Sequence, residues 1–180
     1  MIKITSVFIE YLNENEEIFW YGKPIINKLF TGVDAFIIPI SVIWLVTILK
    51  MDSPPIIFII FILYLFIGRF VYKIYKKINT YYAVTDYRIL IVNTSLFKSK
   101  KLNCIDLGKV NNIIQSINKK GEGTLRFREQ SFLYWGYENT GLDFLNLAIL
   151  KDRPPAFYDI KDANKVYELI NTLKNKHGNS

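Results

Sequence analysis

The chain has one cysteine, Cys104, and one histidine, His177, in 180 residues. A single thiol closes no intramolecular disulfide, so packing must hold the fold, and the count suits a reducing compartment. His177 lies in a Lys/Asn/Gly/Ser tail, 177–180, expected to fray. These two counts exclude zinc sites built from Cys and His, a Cys–His nucleophile and a Ser–His–Asp triad. Gly121-Glu122-Gly123 lacks the Gly-Lys-Ser/Thr and the following helix of a phosphate loop, so it reads as a hairpin turn. Met1–Leu12 contains Glu10 and lacks a small-residue cleavage pattern, so it does not read as a signal peptide.

What the chain does have is unevenly distributed. Hydrophobic residues make up 51%, close to the globular norm, but residues 30–72 are almost wholly apolar. The formal charge is +7, from 23 basic and 16 acidic side chains. Residues 1–22 hold one Lys against four Glu, whereas residues 73–180 hold 18 basic against 10 acidic side chains. A basic part next to an apolar one suits anionic lipid headgroups. The usual basic helix and stacking motifs of nucleic-acid binders are missing, so no nucleic acid is expected. Ile4, Val7, Phe8, Tyr11 and Leu12 fall at helical spacing, for a short helix lying on a membrane or packing onto the protein's own domain.

The apolar region reads as a transmembrane helical hairpin over 29–77, with spans at 29–49 and 54–72. Twenty-one residues rise roughly 31 Å, enough for a hydrocarbon core of about 30 Å. Pro39 is tolerated in such a helix. Asp34 is expected near the headgroups, and Arg69 is expected to snorkel outward. Trp20, Tyr21, Tyr72 and Tyr75 suit an interfacial aromatic belt. Lys23 and Lys28 precede the first span, and Arg69, Lys73, Lys76 and Lys77 close the second. The basic residues therefore put both termini, including an N-terminal segment 1–28, in the cytoplasm.

From residue 78 the pattern is that of a soluble domain ending at 176. Thr80–Val84 and Arg88–Asn93 read as strands joined by a tight turn. Further strands are expected at 100–107, 110–117, 124–128 and 157–160, with a more apolar region at 132–137 and 142–150 on either side of a turn at 138–141. Asp162 is placed to cap a final helix whose Ala163, Val166, Tyr167, Ile170 and Leu173 form one apolar face. The class is α+β: the helical hairpin plus about seven antiparallel strands as a bent sandwich or barrel closed by that helix.

Three segments carry a family resemblance. Glu17-Ile18-Phe19-Trp20-Tyr21-Gly22-Lys23-Pro24 precedes the apolar region, Tyr82-Ala83-Val84-Thr85-Asp86-Tyr87-Arg88 opens the domain, and Phe157–Ile160 with Val166–Ile170 closes it. Together they resemble the membrane-anchored bacterial pleckstrin-homology-like proteins, a family of unknown function, over nearly the whole chain. Residues 129–156 are longer and more aromatic than that pattern. The resemblance implies a bacterial plasma-membrane protein whose cytoplasmic domain is pleckstrin-homology-like.

Thr85, Asp86 and Arg88 read physically as turn chemistry. Asp86 is expected to accept backbone N–H groups with Thr85 in support, and Arg88 to pair with Asp86 or reach a backbone carbonyl. Two surfaces are candidates for binding. Lys98, Lys100, Lys101, Lys119 and Lys120 suit contacts to anionic lipid. Phe132, Tyr134, Trp135 and Tyr137 suit a partner interface if exposed and a core strand if not. Asp86, Asp106, Glu122, Asp143, Asp159 and Asp162 show no spacing that pairs them for catalysis. The expected function is a non-catalytic, membrane-tethered module binding protein, acidic lipid or both, without metal or cofactor. The competing readings are a structural subunit of a larger membrane complex and a membrane enzyme with an unrecognised carboxylate site.

Overall fold

The computed structural model describes residues 7–94, 100–128, 139–142 and 155–178. It is α+β, with two antiparallel sheets, and it divides into two compact units. Among the described residues, the first unit comprises 7–26, 76–94, 100–128 and 155–178; the second comprises 27–75 and 139–142.

The first unit holds every described strand. Its four-stranded sheet runs in the order β1 (Ile18–Gly22), β2 (Thr80–Thr85), β3 (Arg88–Thr94), β4 (Lys100–Asp106). Its three-stranded sheet is β5 (Ile114–Ile117), β6 (Gly123–Arg126), β7 (Ala156–Ile160). β2 and β3 are rich in β-branched and aromatic side chains, which fill a pleated surface well. Ala83 pairs with Leu90 and Val84 with Ile89 across them. Because strand side chains alternate, Tyr82 and Val84 enter one core while Tyr81 and Ala83 enter another.

The larger core lies between the two sheets. Phe157 of β7 is its centre, with Tyr82, Phe127 and Trp20 rings at centroid distances of 4.6, 4.9 and 5.4 Å. The C-terminal helix, here α3 (Ala163–Gly178), adds Ala163, Val166, Ile170 and Leu173 to that core, as its periodicity predicts. Its helical backbone continues past residue 176, where the tail was expected to begin. Trp20 is therefore a packing residue of this core, correcting its assignment to an interfacial belt. The second, smaller core sits on the opposite face of the four-stranded sheet. There Phe8 is fully buried against Ala83, Leu90 and Val92, with Val7, Tyr11 and Leu12 around it. The N-terminal segment thus packs onto its own domain, through a short 3-10 turn at Ile9–Tyr11.

The second unit contains two apolar helices. α1 (Asp34–Leu49) has 16 residues, about 24 Å at 1.5 Å each, so it is shorter than the expected span 29–49. The helix starts late because Thr31 donates both its N–H and its hydroxyl to Asp34 Oδ2, closing a turn ahead of it. α2 (Ile56–Ile78) has 23 residues and extends beyond the expected end at 72. By length and composition it is the one described helix able to cross a membrane, and a two-helix transmembrane hairpin is not established. Ile48 of α1 packs with Ile62 and Leu65 of α2, and Leu142 joins them. Residues 139–142 accordingly belong with the helices, although 78–176 was expected to be a single domain.

Candidate functional site

A π turn interrupts α2 at Tyr64–Gly68. It directs the Arg69 N–H to the carbonyl of Tyr64. The carbonyl of Leu65, the ordinary acceptor four residues back, is then taken by the Arg69 side chain, whose Nε donates to it at 2.6 Å. Arg69 Nη1 donates to Asp34 Oδ1, and the two side chains are 1% and 3% exposed. Lys73, one turn further on, donates to the carbonyl of Leu29 and lies 3.6 Å from Asp34 Oδ2. Asp34 thus meets two cations and the Thr31 donors, a charge-assisted arrangement that offsets the cost of burying it. The Tyr64 hydroxyl donates to the carbonyl of Gly141, which lies against the Arg69 backbone. Asp34 is therefore enclosed where headgroup solvation was expected, and Arg69 turns inward to it where snorkelling was expected. π turns and enclosed ionic groups in apolar helices both concentrate at functional positions.

The first unit holds a second enclosed pair. Lys77 Nζ lies 2.8 Å from Asp159 Oδ2 and donates to the Ile25 carbonyl at 3.1 Å, both partners of the pair being buried. Asp159 adopts φ 50°, in the left-handed region, where Asp is better tolerated than most residues. Its N–H donates to Thr124 Oγ1 and its carbonyl accepts the Ile25 N–H, so both β7 and the segment before α1 are tied to it.

The Thr85–Arg88 corner is built differently from its expected form. Thr85 Oγ1 accepts the N–H groups of Tyr87 and Arg88, and its hydroxyl donates to Glu16 Oε1 at 2.7 Å. Arg88 grips Glu16 with two donors, Nε to Oε1 at 2.9 Å and Nη2 to Oε2 at 2.8 Å, and Nη2 also reaches the Tyr11 carbonyl. Asp86 instead receives the Glu17 N–H and returns its own N–H to the Glu17 carbonyl. The expected Arg88–Asp86 pair is thus replaced by Arg88–Glu16, while the contact to a backbone carbonyl is present. Burial alone would raise the Glu16 carboxyl. Its bonds from Arg88, the Asn13 N–H and Thr85 outweigh that and bring it from an ordinary 4.5 to about 2. A carboxylate with every oxygen so engaged is a fastener between the N-terminal segment and the sheet, not a free base.

The surface candidates separate. Lys100 and Lys101 open β4 on the four-stranded sheet, and Lys100 pairs with Glu10. Lys119 and Lys120 occupy the exposed β5–β6 turn of the other sheet, where Asn118 Oδ1 accepts the Lys120 and Glu122 N–H groups and Gly121 takes φ 77°. Lys98, Phe132, Tyr134, Trp135 and Tyr137 lie outside the described residues. Among the carboxylates, Asp106 pairs with Lys109, Asp162 with Lys165 and Asp159 with Lys77, while Glu122 accepts from Asn118 and Asp143 lies outside the described residues. Among the described residues no three His, Cys, Asp or Glu side chains gather in a metal-binding group.

Three charged groupings escaped the sequence: Asp34–Arg69–Lys73, Lys77–Asp159 and Glu16–Arg88. The first had a signal. In two antiparallel helices, an acid at the start of one and bases near the end of the other lie at the same height. Arg69, Lys73 and Lys77 also recur every fourth residue, which places them on one helix face. No family model, curated protein or solved structure matches this chain.

Proposed function

We propose that the chain is a membrane-tethered, non-catalytic binding module. In this reading α2 crosses the bilayer and α1 returns beside it, so that both termini and the two-sheet domain face the cytoplasm. The domain is of the pleckstrin-homology-like kind and presents itself to a protein or acidic-lipid partner at that face. One observation carries the anchor. On α2, Ile56, Ile57, Ile60, Leu63, Ile67 and Val71 are more than half exposed, as are Phe36, Ile40, Ile43, Trp44 and Leu49 on α1. So much uncovered apolar surface calls for an apolar surrounding. The charges that a bilayer would penalise are turned inward onto one another at Asp34, Arg69 and Lys73. The two sheets closed by a C-terminal helix support the domain assignment, and exposed Lys101, Lys119 and Lys120 support an acidic partner.

The test begins with alkaline carbonate extraction of membranes containing the full chain. Retention in the pellet is expected, and release into the supernatant overturns the anchor. Topology is read with a membrane-impermeant maleimide on intact cells. Exposed Cys104 should label only after permeabilisation, whereas a Ser53→Cys substitution in the α1–α2 connection should label before it. Purification in mild detergent then shows whether a defined protein partner accompanies the module. Flotation with anionic vesicles is not informative for an inserted protein, so lipid preference is read by headgroup-specific crosslinking before and after Lys101, Lys119 and Lys120 are changed to Ala.

A further inference from the structure

We infer that one end of the four-stranded sheet is a lipid-docking rim, formed by Tyr21, Lys23 and Ile26 with Ile78 and Tyr81, that seats in the headgroup layer of a phospholipid bilayer. The inference rests on the membrane reading of α2 and extends it from the helix to a face of the domain.

The rim is assembled by pairing and by side-chain contacts. Tyr21 stands opposite Ala83 in the β1–β2 register, so Tyr21, Ala83 and Tyr81 share one sheet face, and Lys23, just past the end of β1, reaches the Tyr81 ring. Phe8 and its neighbours cover that face around Ala83, Leu90 and Val92. Beyond their cover, Tyr21 remains 49% exposed, and Ile26 and Ile78 remain 43% and 44% exposed. The Lys23 ammonium lies 4.0 Å from the centre of the Tyr81 ring and donates to the Ile78 carbonyl at 3.4 Å. Lys77 donates to the Ile25 carbonyl, so residues 23–26 run beside the end of α2.

Two arguments name the occupant. The first is continuity: Ile78 is the last residue of the helix assigned to the membrane, and β2 begins at Thr80, so the rim starts where the span stops. The second is chemistry. A half-exposed tyrosine, a lysine whose ammonium lies over an aromatic ring and two half-exposed isoleucines combine apolar bodies with polar groups. That mixture is enriched at bilayer interfaces, where the body meets acyl chain and the tip meets phosphate and ester groups. Single exposed apolar residues are ordinary on soluble surfaces; here Lys23 and Lys77 tie residues 23–25 to the end of the helix assigned to the membrane.

The experiment uses the full chain in a Cys104→Ser background, reconstituted into vesicles of phosphatidylcholine and phosphatidylglycerol. Single cysteines enter as Tyr21→Cys, Ile26→Cys, Ile60→Cys and Lys120→Cys, each carrying a nitroxide label. Collision with oxygen, which concentrates in lipid, is compared with collision with a water-soluble nickel chelate. Positions 21 and 26 are both half-exposed, so neither change opens a cavity, and they report independently. The expected oxygen-to-nickel ratio at 21 and 26 is several-fold above that at 120 and below that at 60, as the headgroup layer requires. Ratios at 21 and 26 equal to that at 120, with 60 still in lipid, overturn the rim and leave the anchor standing. Protection of 21 and 26 from both reagents also overturns it, because a protein then covers the face. A water-like ratio at 60 overturns the anchor, and the rim with it.

Discussion

Arg69 of α2 and Asp34 of α1, 35 residues apart in the chain, form an ion pair enclosed on every side. Removing one member leaves the other charge buried without its main partner, a change that costs about 3–5 kcal/mol in comparable sites. Arg69→Ala and Asp34→Ala should therefore each strongly lower the unfolding temperature of the detergent-solubilised protein. Arg69→Met with Asp34→Leu should recover much of that loss, since two apolar side chains demand no counter-charge. A double variant as unstable as the sum of the single ones would show that the pair is not the coupled unit.

Gly141 is predicted to be intolerant of any side chain. It takes φ 88°, and a Cβ there would meet the Arg69 carbonyl oxygen at 2.5 Å and Arg69 Cβ at 2.7 Å. Both the left-handed backbone and the backbone contact oppose Gly141→Ala. We expect a cost of roughly 1–3 kcal/mol, read as a lower unfolding temperature. Gly108→Ala is the matched control, because a Cβ at Gly108 meets nothing within 4 Å.

Phe157 should be the costliest single truncation in the domain. Three aromatic rings and both sheets meet on it, and it is wholly buried. Phe157→Ala is expected to destabilise by about 3–5 kcal/mol, and Phe157→Leu by distinctly less. Denaturant unfolding followed by the near-ultraviolet signal of Trp20 and Tyr82 measures both.

The local parts of this fold were readable, and the long-range ones were not. β2 and β3 were expected at 80–84 and 88–93 and occur at Thr80–Thr85 and Arg88–Thr94, because β-branched runs and a short turn decide them locally. The face of α3 followed from its 3.6-residue period in the same way. β1 was read only as a lead-in, since its five residues become a strand through pairing with β2, more than fifty residues later. β5 begins at Ile114, where a start at 110 was expected, because Val110 turns into the core after the Leu107–Lys109 turn. Of the site, Thr85, Asp86 and Arg88 are legible from sequence as turn residues, and Thr85 and Arg88 meet at Glu16 in the structure. The acid that completes them was missed because Glu16 and Glu17 are adjacent and chemically identical. Only the tertiary position of Arg88 distinguishes them.

That distinction has a consequence in acid. Glu16 titrates near 4.5 when unfolded and about 2 when folded. A carboxyl depressed on folding stabilises fully above its unfolded value and loses that contribution as pH falls through the folded one. The window is therefore pH 4.5 down to about 2. A difference of about 2.5 units at about 1.4 kcal/mol each corresponds to roughly 3 kcal/mol at neutral pH. Other acids titrate over the same range, so the informative quantity is the stability gap between the parent and Glu16→Gln. At pH 6 that gap should be near its maximum. It should narrow steadily below pH 4.5 and largely close by pH 2, where folded Glu16 is itself about half protonated. A gap that stays constant from pH 6 to pH 2 would mean that Glu16 contributes through packing and neutral hydrogen bonds, and that its charge is not what fastens the N-terminal segment to the sheet.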